Sequence, residues 1–317
     1  MNNLHLYSEI DKKEVQWLWY PYIAEGKVTL LQGDPGEGKS SLMINLISLL
    51  TKGKALPGEK EDGRKRTVIY QAAEDDPADT VRPRIEAAGG DPGMIGFIDE
   101  GEEPLTLDDP RIESAIRELN ASLFVIDPIQ AFIEQGSDMT SAVKMRQIMR
   151  HLAGTAQRTG CAVVLIGHMS KTTRSNNLYR GLGSIDIAAQ ARSILMVVRD
   201  REVAGLRYML HIKSSLAPSG NPIGFSFDKN KGFVWQKPDT VCSEPAIGIK
   251  RQTELKIDMS ISLLQELLEE EDLPSNSIYG HMAAAGISRR TVKEAKKHIP
   301  IDVYKKGNVW YWHLNQT

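Results

Sequence analysis

The 317-residue sequence has only two cysteines, and this scarcity excludes some classes of protein. Cys161 and Cys242 cannot supply the four thiolates of a structural zinc site, and no cluster of cysteine and histidine makes up the difference. A protein built around a four-cysteine zinc finger is therefore excluded.

The sequence also lacks the apolar segments of membrane and secreted proteins. Its first residues, Met-Asn-Asn-Leu-His, contain neither the basic nor the apolar block of a signal peptide. No apolar run approaches the roughly 20 residues that a membrane-spanning helix needs. We therefore expect a soluble, cytoplasmic protein that does not bind membranes.

A strong excess of one charge is absent as well. The net charge is −2 at pH 7, with 25% charged and 41% hydrophobic residues, which is ordinary for a soluble protein with a real core. A near-neutral total does not decide whether the chain binds nucleic acid, since a local basic patch is enough for binding. The length suits one large domain with a smaller one, or two domains.

A phosphate-binding loop is the most informative feature that is present. The pattern G-x-x-x-x-G-K-S runs from Gly33 to Ser40, between a predicted strand at residues 28–31 and a predicted helix at residues 41–50. In such a loop, backbone N–H groups at a helix N-terminus surround the phosphates, the lysine reaches the β- and γ-phosphates, and the serine hydroxyl binds Mg²⁺. We expect ATP and Mg²⁺ to be bound here by Gly33, Asp34, Pro35, Gly36, Glu37, Gly38, Lys39, Ser40 and Ser41.

Predicted strands and helices alternate up to about residue 235. The predicted strands are residues 67–71, 95–98, 123–127, 162–168, 193–198 and 208–213. This alternation predicts an α/β fold with a mostly parallel sheet that is covered on both faces. The later strands follow one another with little helix between them, which indicates an antiparallel edge.

Two acidic positions complete the predicted nucleotide site. Asp127 ends an apolar strand, as the aspartate of an NTPase does when it holds the Mg²⁺ shell, here through water. Pro128 follows, where many oligomeric ATPases have a catalytic glutamate. We therefore assign Glu74, just after the strand at residues 67–71, as the base that polarises the attacking water. Alternatively, residues 74–76 only form an acidic loop that caps the next helix, and both interpretations hold if Asp76 is the cap.

The C-terminal part follows a different pattern. Helices are predicted at residues 257–271, 277–285 and 289–298, followed by strands at residues 301–304 and 309–314. This order predicts a winged helix, and we divide the chain into an ATPase domain (residues 1–240), a linker (241–254) and a winged helix-turn-helix domain (255–317). The third helix carries a basic surface that suits duplex DNA, with protein docking as the alternative. Its DNA-binding residues are Arg289, Arg290, Lys293 and Lys297.

Four motifs together resemble the RecA-like ATPase family typified by RepA, the hexameric plasmid helicase. They are residues 25–36 (EGKVTLLQGDPG), 73–76 (AEDD), 125–128 (VIDP) and 167–171 (GHMSK). The resemblance covers roughly residues 17–235 and implies a RecA-like P-loop NTPase fold. It also implies a homo-oligomeric ring, a hexamer, with ATP at each interface. Similar phage and mobile-element members carry a small C-terminal winged helix.

The resemblance also implies roles for three residues outside the loop. His168 would sense the γ-phosphate, and the alternative is a histidine that satisfies local backbone groups. Arg192 would be the arginine finger supplied to the neighbouring subunit, and the alternative is a surface arginine at the start of a strand. Lys213 is a second residue that could act on the neighbour's nucleotide.

In such rings, loops that line the central channel contact single-stranded DNA. Residues 133–141 and 171–183 fit this description, and the second loop carries Lys171, Arg174 and Arg180 among small polar residues. A polar surface loop is the alternative interpretation.

Two functions remain open from the sequence. The first is an ATP-driven DNA helicase or translocase of the RepA type, acting in phage or mobile-element replication. The second is a nucleotide-switched DNA-binding adaptor or regulator that does not unwind DNA. The motifs support hydrolysis of ATP, whereas unwinding is implied only by the resemblance.

Overall fold

The computed structural model describes residues 5–133, 142–168, 185–200, 203–228, 230–236, 245–269 and 271–315. The strands are β1 (Trp17–Trp19), β2 (Ile23–Ala24), β3 (Val28–Gly33), β4 (Val68–Ala72), β5 (Ile95–Gly96), β6 (Leu123–Asp127), β7 (Ala162–His168), β8 (Ser193–Arg199), β9 (Leu206–Ser214), β10 (Ile223–Asp228), β11 (Gly232–Trp235), β12 (Leu273–Pro274), β13 (Ile301–Lys306) and β14 (Val309–Leu314). The helices are α1 (Lys39–Lys52), α2 (Arg82–Ala87), α3 (Pro110–Leu119), α4 (Ala142–Thr159), α5 (Ile185–Gln190), α6 (Pro245–Leu267), α7 (Ser275–Ala284) and α8 (Arg289–Lys296).

A nine-stranded sheet forms the centre of the fold. Its order is β11-β10-β9-β8-β3-β7-β6-β4-β5, and the pairs from β8 to β5 are parallel. The pairs β8–β9, β9–β10 and β10–β11 are antiparallel. The predicted α/β fold, with a mostly parallel sheet and an antiparallel edge, is confirmed.

Both faces of the sheet are covered by apolar side chains. In β6, Phe124 and Ile126 face the helices α3, α4 and α5, whereas Leu123 and Val125 face α1 and α2. All five residues of β6 are buried, as expected for a parallel strand between two helical layers. Successive side chains of a strand point to opposite faces, so such a strand reads as one continuous apolar run.

Local signals set the ends of several helices. The carboxylate of Asp109 accepts a hydrogen bond from Arg111 N, and Pro110 takes the first position of α3. The carboxylate of Asp76 accepts from Ala78 N and caps a π-type turn that leads into α2. Gly53 ends α1 in the left-handed conformation that glycine adopts without strain.

The structure differs from the sequence prediction at one long helix. Helix α6 begins at Pro245, inside the predicted linker, and ends at Leu267, so the predicted bounds 257–271 are wrong. Proline is well tolerated at a first helical position, and a single glycine inside a helix costs only about 1 kcal/mol relative to alanine. The segment before Ile257 lacks the alternation of the preceding domain, although most of its residues other than Pro245 and Gly248 are good helix formers.

The C-terminal elements share a core with the large sheet. Helix α7 packs against β12 and β14 of the antiparallel sheet β12-β14-β13, and α6 and α8 pack against α7 and against each other. Leu263 of α6 and Met282 of α7 belong to the same buried cluster as Ile212 of β9. Three helices with a β-hairpin are the elements expected of a winged helix, but that name and the division at residues 240 and 255 stay predictions.

Lys213 joins this C-terminal part to the sheet. Its buried ammonium donates hydrogen bonds to Ala188 O (2.9 Å) and Ala189 O (3.3 Å) in the last turn of α5, and to Ala284 O (2.8 Å) at the end of α7. Burial lowers the pKa of Lys213 to about 8. A cation at two helix C-termini satisfies carbonyl groups that no helical N–H can reach.

No helix within the described residues combines the length and the apolar character that crossing a bilayer requires.

His211 on β9 is a buried histidine that is held in its neutral form. Its Nδ1 accepts from Gly220 N at 3.0 Å, so the ring proton lies on Nε2, 3.0 Å from Ser193 Oγ. Burial lowers the pKa of His211 to about 4, and the charge of Lys256 acts in the same direction. The ring also packs against Tyr22.

We expect the free energy of unfolding to fall as the pH drops from 7 to 5. The folded-state pKa lies below the ordinary value of 6.5, so the unfolded chain binds a proton that the folded chain does not. For one such histidine the loss is about 2 kcal/mol. Urea unfolding at the two pH values measures it.

His211→Asn provides the comparison, since its side-chain oxygen can still accept from Gly220 N. The variant should show a pH-dependent loss that is smaller by about this amount. Equal losses in the two proteins would show that His211 does not contribute to the pH dependence.

Candidate nucleotide site

The loop from Gly33 to Ser40 connects β3 to α1 at the carboxyl end of the parallel strands. The ammonium of Lys39 is buried and donates to Gly33 O (2.7 Å) and Asp34 O (2.9 Å). Burial lowers the pKa of Lys39, and nearby carboxylates oppose this effect in the order Asp127, Asp34, Glu37, Glu74. The loop therefore holds a lysine at the point where phosphate charge is predicted to lie.

The loop and the first turn of α1 suit a phosphate group. Gly38, before α1, has a φ of 91° and no side chain that caps the first N–H groups. These N–H groups therefore stay available to an anion. Asp34, Pro35 and Gly36 are exposed at the tip of the loop, and Ser41 is half-buried in the first turn of α1.

Two glycines are required by their surroundings. A Cβ added at Gly38 would lie 3.0 Å from the ring of Phe227 on β10, and the φ of this residue is left-handed. A Cβ added at Gly33 would lie 2.6 Å from Val197 O on β8. The loop can therefore sit this close to its neighbouring strands only with glycine at both positions.

The parallel register brings the predicted acidic residues to the same edge. Asp127 ends β6 and is buried, with only 6% of its surface exposed. Just beyond β4, Ala73 N donates to Asp127 O at 3.0 Å, and Glu74 follows with an exposed side chain. The backbone of His168, at the end of β7, pairs with that of Gly33. The structure thus brings Lys39, Asp127, Glu74 and the residue position of His168 together.

Sequence reasoning missed Tyr70, which lies between two of the predicted Mg²⁺ ligands. Its buried Oη donates to Asp127 Oδ2 at 2.6 Å. Burial and the neighbouring charge of Asp127 raise the pKa of Tyr70, whereas the nearby Ser40 side chain acts in the opposite direction. The phenol therefore keeps its proton. Tyr70 stands in the apolar run before Glu74, where an aromatic residue looks like ordinary strand core.

Two arginines beside the loop were also missed. Arg199, at the end of β8, donates to Glu37 Oε2 (3.1 Å) and to Gly36 O (3.1 Å). The guanidinium of Arg207 lies 4.5 Å from the ring centre of Phe227, which is 39% exposed next to Gly38. No sequence motif marks these residues, because β8, β9 and β10 approach the loop only in the folded sheet.

The residues at this edge fit a Mg²⁺-nucleotide. Mg²⁺ in proteins is usually held by one or two side chains together with phosphate oxygens and water. Ser40 and Asp127 provide such a pair, and the described residues contain no cluster of three or more acidic, histidine or cysteine ligands. The uncapped turn of α1 supplies the complementary site for phosphates.

Arg192 and Lys213 lie at the opposite edge of the sheet. Arg192 N donates to Val28 O, at the start of β3, whereas the loop follows the end of this strand. A six-residue strand is about 20 Å long, so Arg192 does not reach the chain's own loop. Arg192 and Lys213 line a cavity of about 440 Å³ with Lys256, Ser214 and Gly286.

The predicted DNA-binding residues divide into two groups. Lys171, Arg174 and Arg180 lie outside the described residues. In the C-terminal part, Ser288 Oγ accepts from Thr291 N and caps α8. The four residues predicted to bind DNA here are all exposed: Arg289, Arg290, Lys293 and Lys297.

We expect Gly38→Ala to weaken nucleotide binding by at least about tenfold, because the new methyl group meets Phe227 and a left-handed φ disfavours alanine by about 1–2 kcal/mol. Titration with a fluorescent ATP analogue measures the effect.

Gly58→Ala is the matched control for Gly38→Ala. Gly58 has a φ of 83°, but nothing lies within 4 Å of its added Cβ. Gly58→Ala should lower the free energy of unfolding by about as much as Gly38→Ala does, and it should leave nucleotide affinity unchanged. Equal nucleotide affinity in the two variants would contradict the proposed fit of the loop.

Two solved structures of other proteins resemble this fold. A structure described as an ATPase domain matches with a TM-score of 0.50 and 15% sequence identity, covering 67% of this chain and 85% of that chain. A KaiC-like protein from the hyperthermophilic archaeon Pyrococcus horikoshii OT3 matches with a TM-score of 0.49 and 20% identity, covering 71% and 98%. The first match supports the assignment of the fold.

Curated relatives include DNA repair protein RadA from two bacteria. The Bacillus subtilis (strain 168) protein is 28% identical over 153 residues, which is 47% of this chain. The Mycolicibacterium smegmatis protein is 26% identical over 155 residues, again 47% of this chain. The matched segment spans 29% of the length of each of these relatives.

A family model, AAA_25, described as an AAA domain, matches residues 7–174. This range contains the loop, Tyr70, Glu74, Asp127 and the end of β7, and it is more than half of the 317 residues. The chain therefore has a RecA-like P-loop ATPase fold and belongs to the AAA domain family.

Proposed function

We propose that this protein is a Mg²⁺-dependent ATPase that forms a ring, a hexamer, and moves along DNA as a helicase of the RepA type. The observation that carries the proposal is the placement of the loop and Arg192 at opposite edges of one sheet. A chain with this layout has half of a hydrolysis site at each edge. Head-to-tail packing of copies joins the halves and closes into a ring when the rotation permits.

The residues of the loop edge take distinct roles in the proposed hydrolysis. Lys39 binds the β- and γ-phosphates, while Ser40 and Asp127 hold Mg²⁺, Asp127 through water. Glu74 orients and polarises the attacking water, for which its exposed carboxylate near Lys39 is well placed. The exposed face of Phe227, beside Gly38, offers an apolar surface for the nucleobase.

Arg192 is the proposed arginine finger for the neighbouring subunit. It is exposed, whereas Lys213 beside it is buried and bonded to three carbonyl groups of its own chain. A direct role of Lys213 at a neighbour's nucleotide requires these bonds to break. Arg192 is therefore the better candidate for contact with the neighbour's nucleotide. Lys213 instead bonds to α5 and α7 of its own chain.

The proposed DNA contacts follow from the ring. His168, at the end of β7, would signal the state of the nucleotide to the segment that follows it, where Lys171, Arg174 and Arg180 contact single-stranded DNA. The matched relatives are described as DNA repair proteins, which supports DNA as the partner of this chain. A role in phage or mobile-element replication rests on the resemblance to RepA.

We expect ATP hydrolysis to be stimulated by single-stranded DNA and abolished by Lys39→Ala. Arg192→Ala should lower it by about 10³-fold or more, because an arginine finger stabilises the charge of the transition state. Steady-state phosphate release measures both effects. Arg117→Ala, on an exposed arginine of α3, is the matched control and should leave hydrolysis unchanged.

Mixing the two inactive variants tests whether Arg192 acts in trans. In random mixed rings, about a quarter of the interfaces combine an intact loop with an intact Arg192, so hydrolysis should return in part. A mixture that stays inactive would place Arg192 outside the neighbour's site. If single-stranded DNA does not change hydrolysis in the wild type, the helicase proposal is wrong.

One observation favours the adaptor as a second candidate function. The exposed basic helix α8 provides a surface for duplex DNA that lies apart from the nucleotide site. Binding mainly to duplex, with slow hydrolysis that single strands do not stimulate, would favour a nucleotide-switched adaptor over a motor.

We expect Arg290→Ala and Lys293→Ala to weaken duplex binding several-fold. Each loss of a phosphate contact should reduce the slope of log affinity against log salt by about 1. Fluorescence anisotropy at several salt concentrations measures the slope. Lys60→Ala, another exposed lysine, is the control, and an identical slope in all four proteins would refute duplex binding by α8.

A further inference from the structure

Tyr70 connects the two side chains that the proposed function assigns to Mg²⁺. It is almost fully buried on β4, with 3% of its surface exposed, and its Oη donates to Asp127 Oδ2 at 2.6 Å. The Ser40 side chain lies near the same phenol oxygen. Tyr70 is therefore bonded to one of the two side chains and is a neighbour of the other.

The chemistry of the groups around the Tyr70 hydroxyl determines which of them donates a hydrogen bond and which accepts. An ionised carboxylate only accepts hydrogen bonds, so Tyr70 must donate to Asp127. The phenol oxygen keeps lone pairs that can accept a hydrogen bond from the nearby Ser40 hydroxyl. A serine hydroxyl that donates to Tyr70 presents only lone pairs in the other directions.

We propose that Tyr70 is a positioning residue for Mg²⁺, which orders the Ser40 hydroxyl and the Asp127 carboxylate so that both present lone pairs to the ion. The inference rests on the proposed Mg²⁺-nucleotide site. Partners behind metal ligands set the orientation of those ligands, and their loss commonly lowers metal affinity by about 10–100-fold.

The alternative is a tyrosine that serves only to fill the core. Tyr70 belongs to the buried cluster between the sheet and α1, and its ring would contribute there without its hydroxyl. Tyr70→Phe separates the two roles, because it keeps the ring and removes only the hydroxyl. It leaves Asp127 without the phenol donor and removes the phenol oxygen near the Ser40 hydroxyl.

The chain contains a matched control for this substitution. Tyr304 Oη donates to Asp272 Oδ2 at 2.7 Å, so it makes the same kind of bond in an exposed position of the C-terminal sheet. Tyr304→Phe removes a tyrosine–aspartate hydrogen bond with no predicted Mg²⁺ ligand attached to it. Any general effect of losing such a bond appears in both variants.

The experiment measures binding of a fluorescent ATP analogue to the full chain while Mg²⁺ is titrated, and again in excess chelator. In Tyr70→Phe, the Mg²⁺ concentration that gives half of the gain in affinity for the analogue should be about tenfold higher than in the wild type. In chelator, the variant should bind the analogue with the same affinity as the wild type. Tyr304→Phe should follow the wild type in both conditions. Thermal melts of all three proteins report folding.

A second measurement tests whether Tyr70 acts through its neighbours. In a Ser40→Ala background, Tyr70→Phe should raise the required Mg²⁺ by clearly less than tenfold, because part of what Tyr70 orders is already absent. A full effect in that background would overturn a role through Ser40.

Two results would overturn the inference in different ways. If the wild type binds the analogue more tightly with Mg²⁺ and Tyr70→Phe shows the same Mg²⁺ requirement, or weakens binding equally in chelator, Tyr70 only fills the core and the proposed function stands. If binding to the wild type does not respond to Mg²⁺, the proposed Mg²⁺ site fails and this inference fails with it.

Discussion

The parallel pairing of β3 between β7 and β8 is the constraint on which the candidate site depends. Parallel strands end at the same edge, and this is why a loop at residue 33, an aspartate at 127 and a strand end at 168 meet although they are far apart in sequence. The same pairing sends the starts of these strands to the other edge, where Arg192 lies. One hydrogen-bonding pattern thus brings the loop and its acidic residues together and places Arg192 at the other edge.

The parts of this arrangement that the sequence predicted are those with local signals. The loop is a contiguous motif, β6 and β7 are uninterrupted apolar runs, and the helix caps at Asp109 and Ser288 are single residues before helical patterns. Such signals depend only on spacing along the chain, so they can be recognised without knowing which residues are neighbours in the folded protein. The α/β class and most strand positions could therefore be predicted.

The remainder depends on contacts between distant segments. Tyr70 meets Asp127 only because β4 pairs with β6, and Arg199 meets Glu37 across 162 positions of sequence. Strands β10 and β11 were missed because their residues show neither a long apolar run nor a motif, and the N-terminal pair β1–β2 is only a few residues long. The start of α6 was missed because residues 245–256 do not continue the alternation of the preceding domain.

Lys213 gives the fold a mechanical property. Its one ammonium is bonded to carbonyl groups of α5 and α7 while its backbone belongs to β9, so three elements converge on a single charge. The strand that carries Lys213 is paired with β8, which Arg192 precedes. A displacement of α7 therefore disturbs the hydrogen bonds of a residue whose own strand forms part of the sheet. The position of the C-terminal helices and the packing beside Arg192 are coupled through this one side chain.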